Sequence, residues 1–371
     1  MHDWLAMSRM RIKESTYSRY VHLSETHILP RLGGLTLDQL TTQTIERHIS
    51  FLLSEGRVDG SGGLAPKTAS DILTIIKGSI DYARCSGYQI NCYLDRLTIK
   101  KPQIDMRVLS AEEQQKLLAV LLYATDLPKL GVLLCLYTGM RIGEVCALRW
   151  ENIDFSEGVL SVRETLQRIQ DTDDNNCRKT KIVITEPKSK NSIRVIPLPV
   201  SLTDIVCQFK SAPKAYLLTG RTDKFMEPRT LQYRFEKYIS ESGLANSEGG
   251  PLSYTQFKRV WQYIVTRSTK ERTYVRYING QKITKTVTPV LGEKAAHNGN
   301  VVYSLDFQVT PHQLRHTYIT NLIYASVDPK TVQYLAGHEN SKITMDIYAK
   351  VKYNKPEQLS AVVNTAFGQP A

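Results

Sequence analysis

One stretch near the C-terminal end, TPHQLRHTYITNLIYASVDPKTVQYLAGHENSKITMDIY, constrains the fold most, because it carries the signals that begin and end helices. A threonine followed by a proline, at 310 and 311, is typical of a helix start, and Asp328-Pro329 repeats the signal. Gly337 indicates the end of the second helix. The stretch therefore predicts three consecutive helices, the last over 342–347.

The same stretch carries side chains that suit chemistry on a phosphodiester. His312 and Arg315 are three apart and share one face of the first helix, and His338 follows the glycine at the corner. Tyr348 ends the third helical run. A guanidinium binds two phosphate oxygens at once, and a tyrosine whose proton is removed can form a covalent intermediate. Each residue alone is more often structural, but together they predict half of an active site.

The charge of the chain favours a polyanionic partner. The net charge is +12 and the pI is about 9.3, so nucleic acid is the expected partner and a membrane surface is the rival. No apolar run approaches the roughly 18 residues of a transmembrane helix, and MHDWLAMSRMRIKE does not look like a signal peptide. The six cysteines form no CxxC pair, so we expect reduced thiols and a cytoplasmic protein without membrane association.

Residues 1–98 show the periodicity of a helical bundle. We expect one helix after Ser15, a second over 43–55 capped by Thr42, and a third opened by Pro66. The basic residues on these helices either form an ordinary solvated face or contact DNA. The residues concerned are Arg19, Arg31, Lys67 and Lys77.

Residues 99–108 are predicted to be a linker, which could cross a DNA backbone. Its basic residues are Lys100, Lys101 and Arg107. The capping-box sequence that begins at Ser110 opens a second domain, predicted over 109–371.

The middle of the chain adds further candidate site residues. TGMRIGEV places Arg141 at a helix start with Glu144 three residues later, which indicates at least an Arg–Glu pair. Strands are predicted over 159–164, 181–186 and 193–198, and 165–180 is predicted to be a mobile polar connection. The turn PKSKNS carries Lys188 and Lys190, which alone would be read as solvated lysines.

A basic, aromatic stretch over 258–285 contains TYVRYI-NG-QKITKT, which predicts a β-hairpin over 273–287. We expect it to contact or shape DNA, and the alternative is contact with another protomer. The candidate DNA contacts in this stretch are Lys258, Arg259 and Arg276.

Three segments, TGMRIGEVCALRW, PHQLRHTYIT and LAGHENSKITMDIYAK, resemble the conserved boxes of the tyrosine recombinases, or phage-type integrases. The segments PKSKNSIRVIPL and PHQLRHTYIT, together with the basic stretch over 258–285, are most similar to integrases of conjugative transposons and temperate phages. The resemblance implies a mainly α fold with a small antiparallel β-sheet. A helical-bundle DNA-binding domain and an α+β catalytic domain would form a clamp around DNA. The hairpin would then be an insertion, and 355–371 would dock on a neighbouring protomer.

The resemblance also implies roles for individual residues. It makes Tyr348 the nucleophile that forms a 3′-phosphotyrosyl link, without ATP or a metal cofactor. Lys188, with Lys190 as the alternative, would be the catalytic lysine, and Glu144 would support the first arginine. The remaining catalytic residues would be Arg141, His312, Arg315 and His338. His316 is expected to be a structural histidine, because HQLRH lacks the glutamate of an HExxH zinc site.

The expected function is site-specific recombination that excises and integrates a mobile element. The expected partners are double-stranded DNA, further copies of the chain (a dimer on one site and a tetramer in the synapse), and a directionality factor. The alternatives are a DNA topoisomerase of the IB kind, which shares the tyrosine chemistry, and a catalytically silent DNA-binding protein.

Overall fold

The computed structural model describes most of the chain. Within 243–308 it gives the backbone of four strands, and side chains in 350–353 are not covered. The described residues are 1–58, 60, 62–100, 102, 108–172, 180–186, 192–242, 272–278, 281–287, 294–295, 302–303 and 309–353. The chain divides into two compact units. One comprises Met1–Asp105, Arg168–Ile182 and Gln262–Ala295, and the other comprises Met106–Gln167, Val183–Trp261 and Ala296–Ala371.

The N-terminal part of the first unit is helical, as the sequence predicted. Its elements are α1 (His2–Arg9), α2 (Glu14–Leu23), a π-helical turn (Ser24–Ile28), α3 (Leu29–Leu32), a 3-10 turn (Leu37–Gln39), α4 (Thr42–Glu55) and α5 (Pro66–Cys85). Pro66 opens α5 as predicted, whereas α4 is capped one residue earlier than predicted, because Thr41 Oγ1 accepts a hydrogen bond from Thr44 N at 3.2 Å.

Apolar residues at helical spacing form the core of this unit. Ile45, Ile49 and Leu52 on α4 are buried together with Ile72 and Ile76 on α5. Leu53, the neighbour of Leu52 on α4, is 38% exposed. A helix turns about 100° per residue, so the neighbour of a buried residue points away from the core.

The remaining described elements follow along the chain. They are α6 (Ala111–Leu122), α7 (Leu127–Thr138), α8 (Ile142–Ala147), β1 (Ile153–Asp154), β2 (Val159–Val162), β3 (Thr165–Gln170), β4 (Thr180–Thr185), β5 (Arg194–Pro197), α9 (Val200–Cys207) and α10 (Pro228–Glu241). After these come β6 (Arg272–Ile278), β7 (Gln281–Val287), β8 (Lys294–Ala295), β9 (Val302–Tyr303), α11 (Pro311–Tyr324), α12 (Pro329–Ala336) and α13 (Ser341–Tyr353). Of these elements, β6, β7 and β8 belong to the first unit, β3 and β4 are divided between the two units, and the others belong to the second unit.

Helix α7 lies at the centre of the second unit. Leu130, Leu133 and Leu134 on this helix are 0% exposed, and α11 packs against it. Gly139 ends α7 in the left-handed conformation, with φ +63°, and a Cβ there would lie 2.4 Å from Tyr318 Cδ1. The close approach of α7 and α11 therefore requires glycine at this position, which lies next to the candidate site.

A small antiparallel sheet in strand order β1-β2-β5 accompanies the helices. Leu160 on β2 pairs with Ile196 on β5, and both side chains are 0% exposed. The prediction for 165–180 was wrong over 165–170, which forms β3 and pairs with β4. Its polar sequence hid the strand, because Leu166 and Ile169 are buried there while the other residues are not.

The strands of the predicted hairpin are present. β6 and β7 pair in antiparallel register from Arg272↔Val287 to Ile278↔Gln281. The side chain of Arg276 and all of Lys258 and Arg259 lie outside the described residues, as does the predicted docking tail over 355–371. Within the described part of the chain, none of the helices has the length and apolar character needed to cross a membrane.

Candidate active site

Arg141 lies at the N-terminal end of α8, where Glu144 binds both its backbone N–H and its guanidinium. Glu144 Oε2 accepts a hydrogen bond from Arg141 N at 2.9 Å, and Glu144 Oε1 accepts one from Arg141 Nη1 at 2.7 Å. Arg141 Nη2 donates to Gly337 O at 3.3 Å. The Arg141 side chain is 41% exposed, so its guanidinium is both oriented and accessible to a ligand.

Glu144 is a buried carboxylate shared by two guanidinium groups. Its side chain is 2% exposed, and Oε2 also accepts from Arg194 Nη2 at 2.9 Å. Burial raises the pKa of Glu144, but Arg194 and Arg141 outweigh it and keep the pKa below its usual range. The carboxylate is therefore charged at neutral pH, as expected for a group that supports Arg141.

Arg194, at the start of β5, is a member of this cluster that the sequence analysis missed. Its side chain is 0% exposed. Besides Glu144, it donates to Leu335 O at 2.8 Å and to Ser192 O at 3.1 Å. An arginine in a strand whose alternate residues are buried is the signal that could have found it, because Arg194 occupies a core-facing position of β5.

Arg315, on α11, is fixed by two backbone carbonyl groups. Its Nη1 donates to Gly139 O at 2.8 Å and its Nη2 donates to Ala336 O. Arg315 is 2% exposed. Burial and the charge of Arg141 lower its pKa to about 9, against the opposing influence of Glu144, so it is still charged at pH 7.

His338 lies at the corner between α12 and α13. Gly337 makes this corner in the left-handed conformation, with φ +62°. The His338 ring is hydrogen bonded through Nδ1 to Thr344 Oγ1 at 2.9 Å. Burial lowers the pKa of His338 to about 3, and the charges of Arg315 and Arg141 contribute, so the ring is neutral at pH 7.

His312 and His316 lie one turn apart on α11, with ring centroids 4.9 Å apart. His312 is exposed and His316 is 9% exposed. Partial burial lowers the pKa of His312, and the charges of Arg315 and Arg141 lower it further. Burial and His312 lower the pKa of His316 to about 4. Both rings are therefore neutral at pH 7, and the exposed one can accept a proton.

Tyr348 lies on α13 and is half-buried. Thr344, the hydrogen-bond partner of His338, precedes it by four residues. Residues four apart on a helix share a face, so Tyr348 lies on the side of α13 that turns towards His338. Helix α13 also packs against α11 and α12, which carry or border the other candidate residues.

The charges of the cluster favour an anionic ligand. Arg141, Arg194 and Arg315 contribute three positive charges and Glu144 one negative charge, which leaves two positive charges uncompensated within this group. Guanidinium groups with neutral histidines beside them are suited to hold an anion such as a phosphate.

The comparison of the chain with known protein families decides its class. The sequence profile of the family described as "Phage integrase family" matches residues 107–276 and 251–355, and that of the phage integrase N-terminal SAM-like domain matches residues 1–53. The chain belongs to the phage integrase family. It is a tyrosine recombinase, an enzyme of site-specific DNA cleavage and rejoining. The comparisons give no support to the topoisomerase or silent-binding alternatives.

Curated relatives cover most of the chain. A XerC-like tyrosine recombinase of Caldanaerobacter subterraneus subsp. tengcongensis is 26% identical over 98% of this chain and 81% of its own length. The ICEBs1 integrase of Bacillus subtilis is 22% identical over 96% of this chain and 79% of its own. The transposase of Tn916 from Enterococcus faecalis is 26% identical over 72% of this chain, which spans about half, 52%, of that relative.

Solved integrase structures share the fold. The Tn1549 integrase in complex with transposon right end DNA matches 96% of this chain and 98% of its own, with TM-score 0.60 and 18% identity. A lambda integrase dimer bound to a core site matches 94% of this chain and 77% of its own, with TM-score 0.54 and 16% identity. A lambda integrase tetramer bound to a Holliday junction matches 93% of this chain and 76% of its own, with TM-score 0.54 and 16% identity.

Several candidate residues lie outside the described part of the chain or in the first unit. Lys188 and Lys190, and the linker residues Lys101 and Arg107, lie outside the described residues. Within the first unit, Lys67 pairs with Asp71, as does Arg19 at 2.8 Å, and Lys77 donates to Leu97 O at 3.0 Å. The DNA contacts of Lys67, Lys77 and Lys100 stay predictions.

Proposed function

We propose that Tyr348 is the nucleophile of this recombinase and that Arg141, Arg315 and His338 surround the phosphate it attacks. The observation that supports this most is the buried cluster around Glu144. This cluster fixes the half-exposed guanidinium of Arg141 and leaves an excess of positive charge. His338 lies beside it, and Thr344, which is hydrogen bonded to His338, is one helical turn from Tyr348.

The proposed cleavage is a transesterification. Tyr348 Oη bonds to phosphorus, the bond from phosphorus to the 5′ oxygen breaks, and a 3′-phosphotyrosyl link and a 5′-hydroxyl result. Arg141 and Arg315 stabilise the negative charge on the nonbridging oxygens, and donors of this kind contribute several kcal/mol to such reactions. Attack by a 5′-hydroxyl of another duplex reverses the step, so bond energy is conserved without ATP or a metal.

Two protons move in this step. His312 accepts the proton of Tyr348, which its lowered pKa allows because the ring is neutral at pH 7. Lys188, or Lys190 in the same turn, gives a proton to the leaving 5′ oxygen. His338 donates to a nonbridging oxygen through the ring nitrogen that Thr344 does not engage.

The substrate proposed is double-stranded DNA at the ends of a mobile element. The net charge of +12 supports binding to DNA, and the relatives from Tn916 and ICEBs1 support a mobile element. By analogy with lambda integrase, the chain works as a dimer on one site and a tetramer in the synapse. The β6–β7 hairpin contacts the DNA, and a directionality factor is a further partner.

A nicked suicide duplex tests the proposed nucleophile. Cleavage near the nick releases a short strand and traps the covalent complex, which migrates slowly in denaturing gels. The wild-type chain should be trapped, and Tyr348→Phe should bind the duplex equally well without being trapped. Tyr123→Phe, which changes a 79% exposed tyrosine at the end of α6, is the matched control and should be trapped normally. Trapping of Tyr348→Phe at the wild-type rate would exclude this assignment.

A further inference from the structure

We propose that Arg194 is a positioning residue that aligns Arg141 and the His338 corner for strand cleavage, an inference that rests on the proposed function. Arg194 is 0% exposed and each of its three nitrogens donates to a group of the chain, so it does not touch the DNA itself. Its effect on the reaction passes through the groups that it binds.

Three elements converge on the Arg194 guanidinium. Nη2 donates to Glu144 Oε2 at 2.9 Å on α8, Nε donates to Leu335 O at 2.8 Å in α12, and Nη1 donates to Ser192 O at 3.1 Å ahead of β5. Gly337 packs directly on the same group, because a Cβ at Gly337 would lie 3.0 Å from Arg194 Nη1. One side chain thus ties the start of α8 to the end of α12.

These contacts close a ring with Arg141. Glu144 binds Arg194 through Oε2 and Arg141 Nη1 through Oε1, and Arg141 Nη2 donates to Gly337 O at 3.3 Å. Arg194 therefore contacts both residues that orient the Arg141 guanidinium. His338 directly follows Gly337, so a shift of this corner moves His338 as well. Active-site groups need supporting contacts of this kind to stay within about 0.5 Å of the productive geometry.

An arginine is required by the geometry of these contacts. The three acceptors lie in different directions, and the planar guanidinium reaches them from three nitrogens, whereas an ammonium is a single centre. A lysine at 194 keeps the positive charge beside Glu144 but cannot span the carboxylate and Leu335 O as arginine does. Arg194→Lys therefore keeps the positive charge while it removes the contacts that align Glu144 with Leu335 O.

Arg194 also maintains the charge of Glu144. The charged groups that face Glu144 are Arg141 on α8, Arg194 on β5 and Arg315 on α11, and the Cys135 thiol on α7 lies close by. With the charge of Arg194 removed, as in Arg194→Met, burial of Glu144 is opposed mainly by the half-exposed Arg141, so the pKa of Glu144 rises. Protonated Glu144 no longer holds Arg141 by a charge-assisted bond, so cleavage becomes more sensitive to acid.

The test compares Arg194→Lys and Arg194→Met with Arg149→Lys in the full chain. Arg149 is the matched control, because its guanidinium also supports the second unit, donating to Lys214 O at 2.6 Å and Tyr216 Oη at 2.8 Å, away from the site. For each protein we would measure duplex affinity, the single-turnover rate of covalent-complex formation across pH, and the melting temperature.

We expect Arg194→Lys to bind duplex as the wild type does and to form the covalent complex about 10²-fold more slowly, since a displacement of about 1 Å can have this effect. The acid limb of the pH–rate profile should move to higher pH in Arg194→Met, which removes the charge, and stay in place in Arg194→Lys, which keeps it. Arg149→Lys should lower the melting temperature without moving that limb.

If Arg194→Lys lowers the stability of the fold, a double-variant cycle with Glu144→Gln still tests whether Arg194 acts through Glu144. If Arg194 acts through Glu144, then Arg194→Lys slows cleavage much less in a Glu144→Gln background than in the wild type. Equal effects in both backgrounds would overturn the inference, as would a wild-type rate for Arg194→Lys or an unmoved acid limb for Arg194→Met. If the wild-type chain forms no covalent complex, the proposed function fails as well, so the two failures are distinguishable.

Discussion

At the scale of single residues, Glu144 is the buried carboxylate that holds Arg141 and Arg194 in the candidate site. Its carboxylate is 2% exposed and contacts Arg141 and Arg194 with both oxygens. A buried ion pair contributes little net stability when it is intact, but the loss of one partner leaves an uncompensated buried charge.

Glu144→Gln should therefore destabilise the second unit by about 3 kcal/mol, because two guanidinium groups would face a neutral amide. Chemical denaturation with hydrogen exchange of α7 and α8 would measure this change. Glu112→Gln is the control, since Glu112 is 76% exposed and pairs with Lys116 on the surface of α6. The control should leave stability almost unchanged, and equal losses in the two variants would contradict the account of Glu144.

His48, in the first unit, is a buried residue whose replacement should help the fold. It is 3% exposed, and neither ring nitrogen has a hydrogen-bond partner among the residues that the structure describes. Burial lowers its pKa to about 4, with contributions from Arg31 and His27. Because the unfolded chain takes up a proton near pH 6.5 and the folded unit does not, stability is lost as the pH falls from about 6.5 to 4.

His48→Leu should leave the first unit as stable as the wild type at pH 7, or more stable by about 1 kcal/mol, because a buried polar group without a partner is removed. Between pH 6.5 and 4 the variant should lose less stability than the wild type. Urea unfolding followed by hydrogen exchange of α4 at several pH values measures both effects. An unchanged pH dependence would show that His48 is not the group that titrates.

At the scale of elements, the corner between α12 and α13 connects His338 to the cluster of Arg141, Glu144 and Arg194. Gly337 allows the left-handed turn, its carbonyl accepts from Arg141, and its Cα lies against Arg194. A side chain at this position would therefore disturb both the backbone and the guanidinium cluster.

Gly337→Ala should cost more stability than the roughly 1 kcal/mol expected for alanine in a left-handed conformation, because its Cβ would lie 3.0 Å from Arg194 Nη1. Gly158→Ala is the control, since Gly158 has φ +63° and no atom within 4 Å of its Cβ position. Melting temperatures should fall in both variants, further in Gly337→Ala, whereas trapping on a suicide duplex should fall in Gly337→Ala alone. Normal trapping by Gly337→Ala would refute the role of this corner.

Local signals explain which elements the sequence could predict. Pro66, Pro311 and Pro329 begin helices where expected, and Gly337 ends α12, because caps and breakers act within a few residues. The phase of Arg194 with Ile196 in β5 indicated a core-facing arginine, but its partners Glu144 and Leu335 are 50 and 141 residues away, and a single sequence carries no signal that identifies them. The family resemblance supplied the remaining catalytic candidates, which neither periodicity nor charge would have selected alone.

At the scale of the whole molecule, 48 basic residues against 36 acidic ones give the net charge of +12. If phosphate contacts dominate DNA binding, salt should weaken the binding steeply, because lysine and arginine side chains that bind phosphates release the counterions of the DNA. Duplex affinity should fall by about 10³-fold or more between roughly 50 and 200 mM salt. Tyr348→Phe should keep the same salt slope and Arg141→Gln should reduce it by about 1. A flat salt dependence would contradict a charge-driven interface.

The most direct test of the central claim is to identify the amino acid that becomes linked to DNA. The chain contains 20 tyrosines, so the experiment discriminates among many candidates. The covalent complex on a suicide duplex would be digested with nuclease and protease, and the modified peptide would be sequenced by mass spectrometry. We predict a nucleotide joined through its 3′-phosphate to Tyr348. A nucleotide on any other residue would contradict the proposed active site.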